Sequence, residues 1–270
     1  MKARGLKFTN ANFVYPQTVR RQWSKMEGDW DKMTKEEKPK WMIKKGIEIL
    51  GEVFRSPYQV IHKLVNYEYE FVIGKFPKEV FSDETPPREL GERTEIIPID
   101  ECLGLYEPKK TKITIFNRGI EDASKLIKCN PEHLKYIVRL HEWSHALVHI
   151  GFCESKRLAV LKDENLWDKE LAEATKIYTS IEDKLHEHIA QLLTYHSLTL
   201  ISQDAEHEES RKILNNIIKI FLELNKRQPP YYRIDEYLDV PRNRIIQSIT
   251  LLKKGWLKGV FDGWKTVIKW

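Results

Sequence analysis

His141 and His145 stand four residues apart in the run His141-Glu142-Trp143-Ser144-His145. On a helix that spacing projects both rings from one face, about one turn apart. Two imidazoles so placed can each reach a single zinc ion at roughly 2.0–2.1 Å. Glu142 lies on the adjacent edge of the same helix. It can take a proton from a water on the metal and pass it to a leaving amine. Zinc lowers the pKa of such a water to about 7 and polarises the scissile carbonyl. The chemistry expected is metal-assisted hydrolysis of a peptide bond, with His141 and His145 as ligands and Glu142 as catalytic base. Zinc (Zn2+), rather than another divalent cation, follows from the ligand types.

A catalytic zinc needs a third protein ligand and one open position. A third histidine six residues beyond the second would fall at position 151, which is Gly151. A carboxylate from a later helix is the remaining common source, and Glu187 offers it. On a helical wheel Glu187 shares a face with Asp183, Ala190 and Thr194, away from the Ile181, Leu185 and Leu192 stripe. Small residues on that face let two helices approach closely. Glu182 and His188 are the alternatives. His149, one turn beyond His145, reads as a histidine packed at a helix end, or as a group behind the ligands or on the substrate. Tyr195 and His196 are either core residues or donors to an oxyanion.

The elements that must position these groups can be read from pattern. Asn130 caps and Pro131 opens a helix that runs to Ile150, with Gly151 ending it in the usual left-handed position. A second helix covers Glu164 to about Ile177. Ser180 is expected to cap a third, which carries Ile181, Leu185, Ile189, Leu192 and Leu193 on one face. Upstream, Cys102 to Tyr106 and Lys112 to Asn117 read as two strands of a hairpin, with Glu107 to Lys110 as the turn. In zincins, which the motif resembles, an edge strand lines the substrate cleft, and that resemblance implies this place for Ile113 to Phe116. Tyr67 to Ile73 alternates as a strand, and Asp83 to Glu89 is a loop broken by two prolines. The first 56 residues carry helical spacing and no recognisable chemistry.

Composition bounds the classes. The 270-residue chain is 41% hydrophobic and 31% charged, which fits a globular protein and excludes a long disordered one. No apolar run approaches the roughly 18–20 residues that span a bilayer, so no membrane partner is expected. Residues Met1 to Phe8 have charge but no apolar stretch behind them, so a secretory signal is not expected. The three cysteines, Cys102, Cys129 and Cys153, lack paired ligand spacing, which excludes a cysteine-based zinc cluster and fits reduced thiols in the cytoplasm.

The charge is unevenly distributed. Residues 211–270 hold thirteen Lys and Arg against five Asp and Glu, a balance of +8 within a total of +5. An acidic break, Asp204 to Ser210, precedes that stretch, and a domain boundary is expected near residue 208. Arg211 to Asn225 is amphipathic, Arg233 to Leu238 is a short second helix, and Pro241 starts a third. Trp256 to Val260 and Trp264 to Ile268 flank Asp262-Gly263, a strong hairpin signal. Three helices and a hairpin predict a winged helix-turn-helix over residues 209–270. Arg242, Asn243, Arg244 and Gln247 fall where base-reading side chains sit, and Lys258 and Lys265 where phosphate contacts do. Duplex DNA, or a protein, is the partner expected for that module.

Gly104-Leu105-Tyr106, the strand Ile113 to Phe116, His141-Glu142-Trp143-Ser144-His145 and Glu187-x-x-Ala190 together resemble the ImmA/IrrE-type gluzincin metallopeptidases. The resemblance covers roughly residues 100–200. It implies zinc on His141, His145 and Glu187, Glu142 as catalytic base, and regulatory cleavage of an intracellular protein, often a DNA-binding repressor. The interval from His145 to Glu187, 42 residues, is longer than that family leads one to expect. The expected fold is α+β: a mostly helical zincin-like core over residues 1–208 with a small antiparallel sheet, residues 1–95 unassigned within it, followed by the winged helix. The competing expectation is a DNA-binding regulator whose metal is structural or sensory. Glu142 separates the two, because only a hydrolase needs a carboxylate beside the first ligand.

Overall fold

The computed structural model describes residues 33–65, 70–71, 76–152 and 164–253. By its contacts the chain divides into two compact units, 1–48 and 49–270. The described part is mostly helical with a small sheet, an α+β arrangement. In chain order the elements are α1 (Glu37–Val53), α2 (Pro57–Leu64), β1 (Glu70–Phe71), β2 (Lys78–Ser82), β3 (Gly104–Glu107), β4 (Lys112–Phe116), α3 (Asn117–Ile127), α4 (Pro131–Ile150), β5 (Gly151–Phe152), α5 (Glu164–Thr179), α6 (Asp183–Asp204), α7 (Glu208–Arg227) and α8 (Arg242–Lys253).

The motif helix α4 begins as its sequence dictates. The Asn130 side chain accepts from Glu132 N, and Pro131 fills the first helical position. Its end differs from expectation. Gly151 is extended, at φ −70 and ψ 138, because the chain runs directly into β5, which pairs antiparallel with β1. Glycine is needed there for space: a Cβ would sit 2.5 Å from the Leu147 carbonyl oxygen. Almost every residue of α4 from Leu134 to Ile150 is buried, so this helix runs through the centre of the unit.

The hairpin forms with Gly104 opposite Ile115 and Glu107 opposite Lys112, closed by a 3-10 turn at Pro108–Lys110. Two expectations for the sheet are corrected. First, β2 adds parallel to β4, so the sheet is mixed, in the order β2-β4-β3, and not purely antiparallel. Second, β4 is the central strand and β3 the edge. Ile113, Thr114, Ile115 and Phe116 are all buried, as a strand covered on both faces requires. β3 alternates between buried and half-buried residues, the pattern of a strand with one face on the core. Asn117, expected as the last strand residue, instead starts α3.

Ser180 closes α5 through a bond from its hydroxyl to the Ile177 carbonyl; the residue preceding α6 is Glu182, and its side chain makes no cap. Helix α6 is buried on nearly every side from Leu185 to Thr194, polar residues included. Helix α7 buries Leu214, Ile217, Phe221 and Leu224, and α8 buries Ile245, Ile246, Ile249 and Leu252. Helix α7 packs on α6 and α4, and α8 packs on α6 and α5. The boundary expected at residue 208 therefore falls inside the second compact unit, at the short turn Ala205–His207 between α6 and α7. The proposed hairpin of the wing, with Lys258 and Lys265, lies outside the described residues, as do Cys153 and most of the Tyr67 to Ile73 strand. Among the described residues no helix is long and apolar enough to cross a membrane.

Candidate metal centre

Helices α4 and α6 cross with the histidines of one facing the carboxylate of the other. His141 Nε2 lies 3.0 Å from His145 Nε2, and the Glu187 carboxylate lies 3.4 Å from the first and 3.2 Å from the second. All three side chains are almost completely buried: His141 0%, His145 2%, Glu187 3% exposed. Ligands 2.0–2.1 Å from one tetrahedral cation are separated from each other by roughly 3.3 Å. The observed separations are close to that value, so the donor set fits a small divalent cation with no rearrangement of the helices.

A fourth group joins them. Asp100 Oδ1 is 3.9 Å from His141 Nε2, and its Oδ2 is 3.9 Å from His145 Nε2. Ligand atoms of Asp100, His141, His145 and Glu187 all lie within 4.8 Å of one another, a buried group able to hold a metal ion. The alternative ligands are not part of this group. Glu182 is exposed in the turn before α6, and the His188 ring faces Tyr237 at 5.5 Å.

Glu142 is fully buried, with the Asp100 carboxyl and the Tyr106 backbone N–H as the donors nearest its carboxylate. It rests against the backbone of β3, where a Cβ on Gly104 would come within 2.5 Å of its Oε1. Burial pushes its carboxyl up to about 8 against the pull of His145, with the Glu187 charge adding to the push. Burial and then the charges of Glu187 and Glu142 hold Asp100 well above the usual carboxylate range. Burial acts the same way on Glu187, but the positive charge of His145 and hydrogen bonds from Asp100 and from both imidazoles outweigh it and hold Glu187 well below. Burial lowers His141, whereas for His145 the adjoining Glu187 overcomes burial and raises it. Two carboxylates with opposite tendencies thus share one buried space with two imidazoles.

Behind the histidines stand two tyrosines, Tyr106, which the sequence marked only as part of a strand, and Tyr178, which it did not single out. The Tyr178 hydroxyl, on α5, is 3.2 Å from His145 Nδ1, and the Tyr106 hydroxyl, on β3, is 2.6 Å from His149 Nδ1. Thr175 donates its hydroxyl proton to the Leu171 carbonyl, so it accepts from His149 Nε2 at 2.9 Å. His149 Nδ1 is then the acceptor for Tyr106. His149 is a buried partner of a tyrosine and no member of the ligand group. Tyr195 and His196 lie elsewhere: Tyr195 stacks on Phe221 at 6.0 Å, and His196 is half-buried toward the Val240 backbone.

A cavity of about 510 Å³ opens onto His145 and Glu187. Tyr106, Tyr178, Tyr231, Tyr232, Arg88 and Glu101 form much of its wall. Leu105 and Tyr106 come from β3, so the strand beside the cavity is the edge strand and not Ile113 to Phe116. Of the candidate nucleic-acid residues, Asn243 and Gln247 are exposed and Arg242 and Arg244 half-buried, near the start of α8. Arg244 donates to Gln247 at 3.2 Å.

Asp100 was not legible because no spacing rule links it to position 141; it precedes the hairpin by a few residues and carries no motif. Tyr178 belongs to an unremarkable amphipathic helix. Compared with known proteins, the chain matches no family model, no curated protein and no solved structure.

Proposed function

We propose that the protein is a zinc-dependent metallopeptidase that hydrolyses peptide bonds in an intracellular protein. The observation that carries this reading is the set of three separations, 3.0, 3.4 and 3.2 Å, among His141, His145 and Glu187. His141, His145 and Glu187 would hold the zinc, with Asp100 beside them. Zinc, when bound, supplies Lewis-acid polarisation of the scissile carbonyl and acidifies a water.

The chain's own residues supply the rest. Glu142, buried beside the ligand group, is the group to accept a proton from the attacking water and return it to the leaving amine. A histidine that ligates through Nε2 carries its proton on Nδ1. His145 Nδ1–H then donates to the Tyr178 oxygen, which leaves the Tyr178 O–H free to donate into the cavity that it lines. Burial keeps that phenol protonated. Tyr178 is the group placed to donate to a developing oxyanion.

The test is metal content and turnover together. His141→Ala and Glu187→Ala should lose stoichiometric zinc. Glu142→Gln should keep it and lose about 10²–10⁴-fold in peptide hydrolysis. Equal cleavage by Glu142→Gln and wild type would refute the peptidase reading. A second reading is a regulator with a non-catalytic metal, favoured by the presence of Asp100 as a fourth donor group, since structural zinc sites are closed. For either reading duplex DNA is the proposed partner of Arg242, Asn243, Arg244 and Gln247. Binding that does not weaken with salt would exclude it, because phosphate contacts release counterions.

A further inference from the structure

Asp100 lies just ahead of β3, outside any helix or strand, yet the chain fixes it from both sides. Before it, Ile97 N donates to the Arg227 carbonyl at 2.8 Å, and Gln228 Nε2 donates to the Ile97 carbonyl at 2.7 Å. Ile99 N donates to Gln228 Oε1 at 3.3 Å. The Gln228 amide, 1% exposed, is thus spent on residues 97 and 99 from both of its ends. After it, Leu103 N and Gly104 N both donate to the Ile99 carbonyl, at 2.8 and 3.1 Å, and Glu101 N donates to the Gly104 carbonyl at 3.0 Å.

Closing so tight a loop drives Glu101 to φ 69, in the left-handed region. A residue with a Cβ stays there only when its surroundings over-determine it. One such surrounding is α3. A Cβ on Gly119 would lie 1.8 Å from the Cys102 carbonyl oxygen, so the helix presses on the loop backbone where only glycine fits.

The product of this construction is a carboxylate that presents one oxygen to each imidazole at 3.9 Å, just as Glu187 presents one oxygen to each at 3.4 and 3.2 Å. Each histidine therefore faces two carboxylates. A loop that needed only to connect β2 to the hairpin has no reason to carry a strained residue and a buried amide clamp beside its acidic side chain that reaches the histidines.

We infer that Asp100 is a fourth protein ligand, so that the resting centre is closed by two imidazoles and two carboxylates. The inference rests on the zinc reading above. Its consequence is that the place a water or a substrate oxygen must take is held by Asp100, and hydrolysis starts when Asp100 yields it. Asp100 is the member of the group that can do so. Its side chain is 31% exposed and lines the cavity, whereas the side chains of the other three are 4% exposed or less.

The test is a crystal structure of the zinc-loaded full-length protein, paired with zinc affinity by chelator competition. An Asp100 oxygen at about 2.0–2.2 Å from zinc is expected. Asp100→Asn is expected to bind zinc at least about tenfold more weakly while melting cooperatively like the wild type. A water in the fourth position with Asp100 beyond about 3 Å would overturn the inference and leave the peptidase reading intact. So would Asp100→Asn binding zinc within about threefold of wild type. Zinc absent from the wild-type protein would remove both.

Discussion

At the scale of the residue, the centre is governed by what surrounds each polar atom. Tyr178 and His145 are coupled through one hydrogen bond, and the direction of that bond is set by which imidazole nitrogen binds metal. Tyr178→Phe keeps the ring packing against His186, whose centroid is 4.4 Å away, and removes only the hydroxyl. The expected outcome is a fall in kcat of about 10²-fold with KM and zinc content little changed, as for loss of an oxyanion donor. A change confined to KM would assign Tyr178 to substrate binding instead. Gly104 is the complementary case. A methyl group there would collide with the Glu142 carboxylate and with Val138. Gly104→Ala should therefore retain zinc on the three ligands and lose hydrolysis, with a stability loss of about 1–3 kcal/mol from overpacking. Retained turnover in a well-folded Gly104→Ala protein would show that Glu142 is not held where the base must be.

At the scale of the element, α4 is placed by contacts on several sides. Arg139 donates to both Glu79 oxygens, at 2.7 and 2.9 Å, which ties the motif helix to β2 across a half-buried interface. Tyr136 donates to the Arg55 carbonyl beyond α1. A second tie holds the turn between α6 and α7. Glu52 accepts from His207 Nδ1 at 2.8 Å and from His207 N at 3.3 Å. Burial alone would raise the Glu52 carboxyl, but the nearby Ser210 hydroxyl and the hydrogen bonds from His207 outweigh it and lower it below 4.5. A carboxyl whose folded pKa is depressed binds fewer protons folded than unfolded, so stability rises with pH across that interval. The contribution is fully present above pH 4.5 and is lost as pH falls through the folded value. Glu52→Gln should lower the urea midpoint by an amount equivalent to about 1 kcal/mol near neutral pH. The difference from wild type should shrink as pH falls below about 4.5, where the carboxyl takes up its proton. A difference that kept growing below that pH would contradict the assignment.

At the scale of the whole molecule, the C-terminal helices are bound into the unit that holds the centre. Leu214, Ile217, Phe221 and Leu224 of α7 are fully buried, and Pro229, Tyr231 and Tyr232, just after it, line the cavity. Each such buried apolar side chain contributes about 1.5–3 kcal/mol, and a domain has only about 5–15 kcal/mol in all. A chain ending at residue 207 is therefore expected to lose its cooperative thermal transition. Were residues 1–207 to melt cooperatively and bind zinc, the C-terminal segment would be a separate domain after all.

The helix carrying His141 and His145, its cap at Asn130 and Pro131, and the hairpin before it were legible because they rest on local rules: turn periodicity, cap chemistry and strand alternation. Glu187 was named through the resemblance of Glu187-x-x-Ala190 to a ligand signature, with the small residues on its face as partial support. These features depend on neighbours within a few positions, which one sequence records. The edge position of β3, the parallel addition of β2, the burial of α7, and the arrival of Asp100 and Tyr178 at the centre depend on residues tens of positions apart. Asp100 is fixed by Gln228 and Arg227, and Gly119 matters because of a carbonyl at Cys102. No periodicity carries such pairings, since the same amphipathic pattern that buries α7 in this core would equally bury it in a separate module. The chain alone specified which side chains could grip a cation; packing decided which carboxylates reach it and how much of the chain is needed to hold them there.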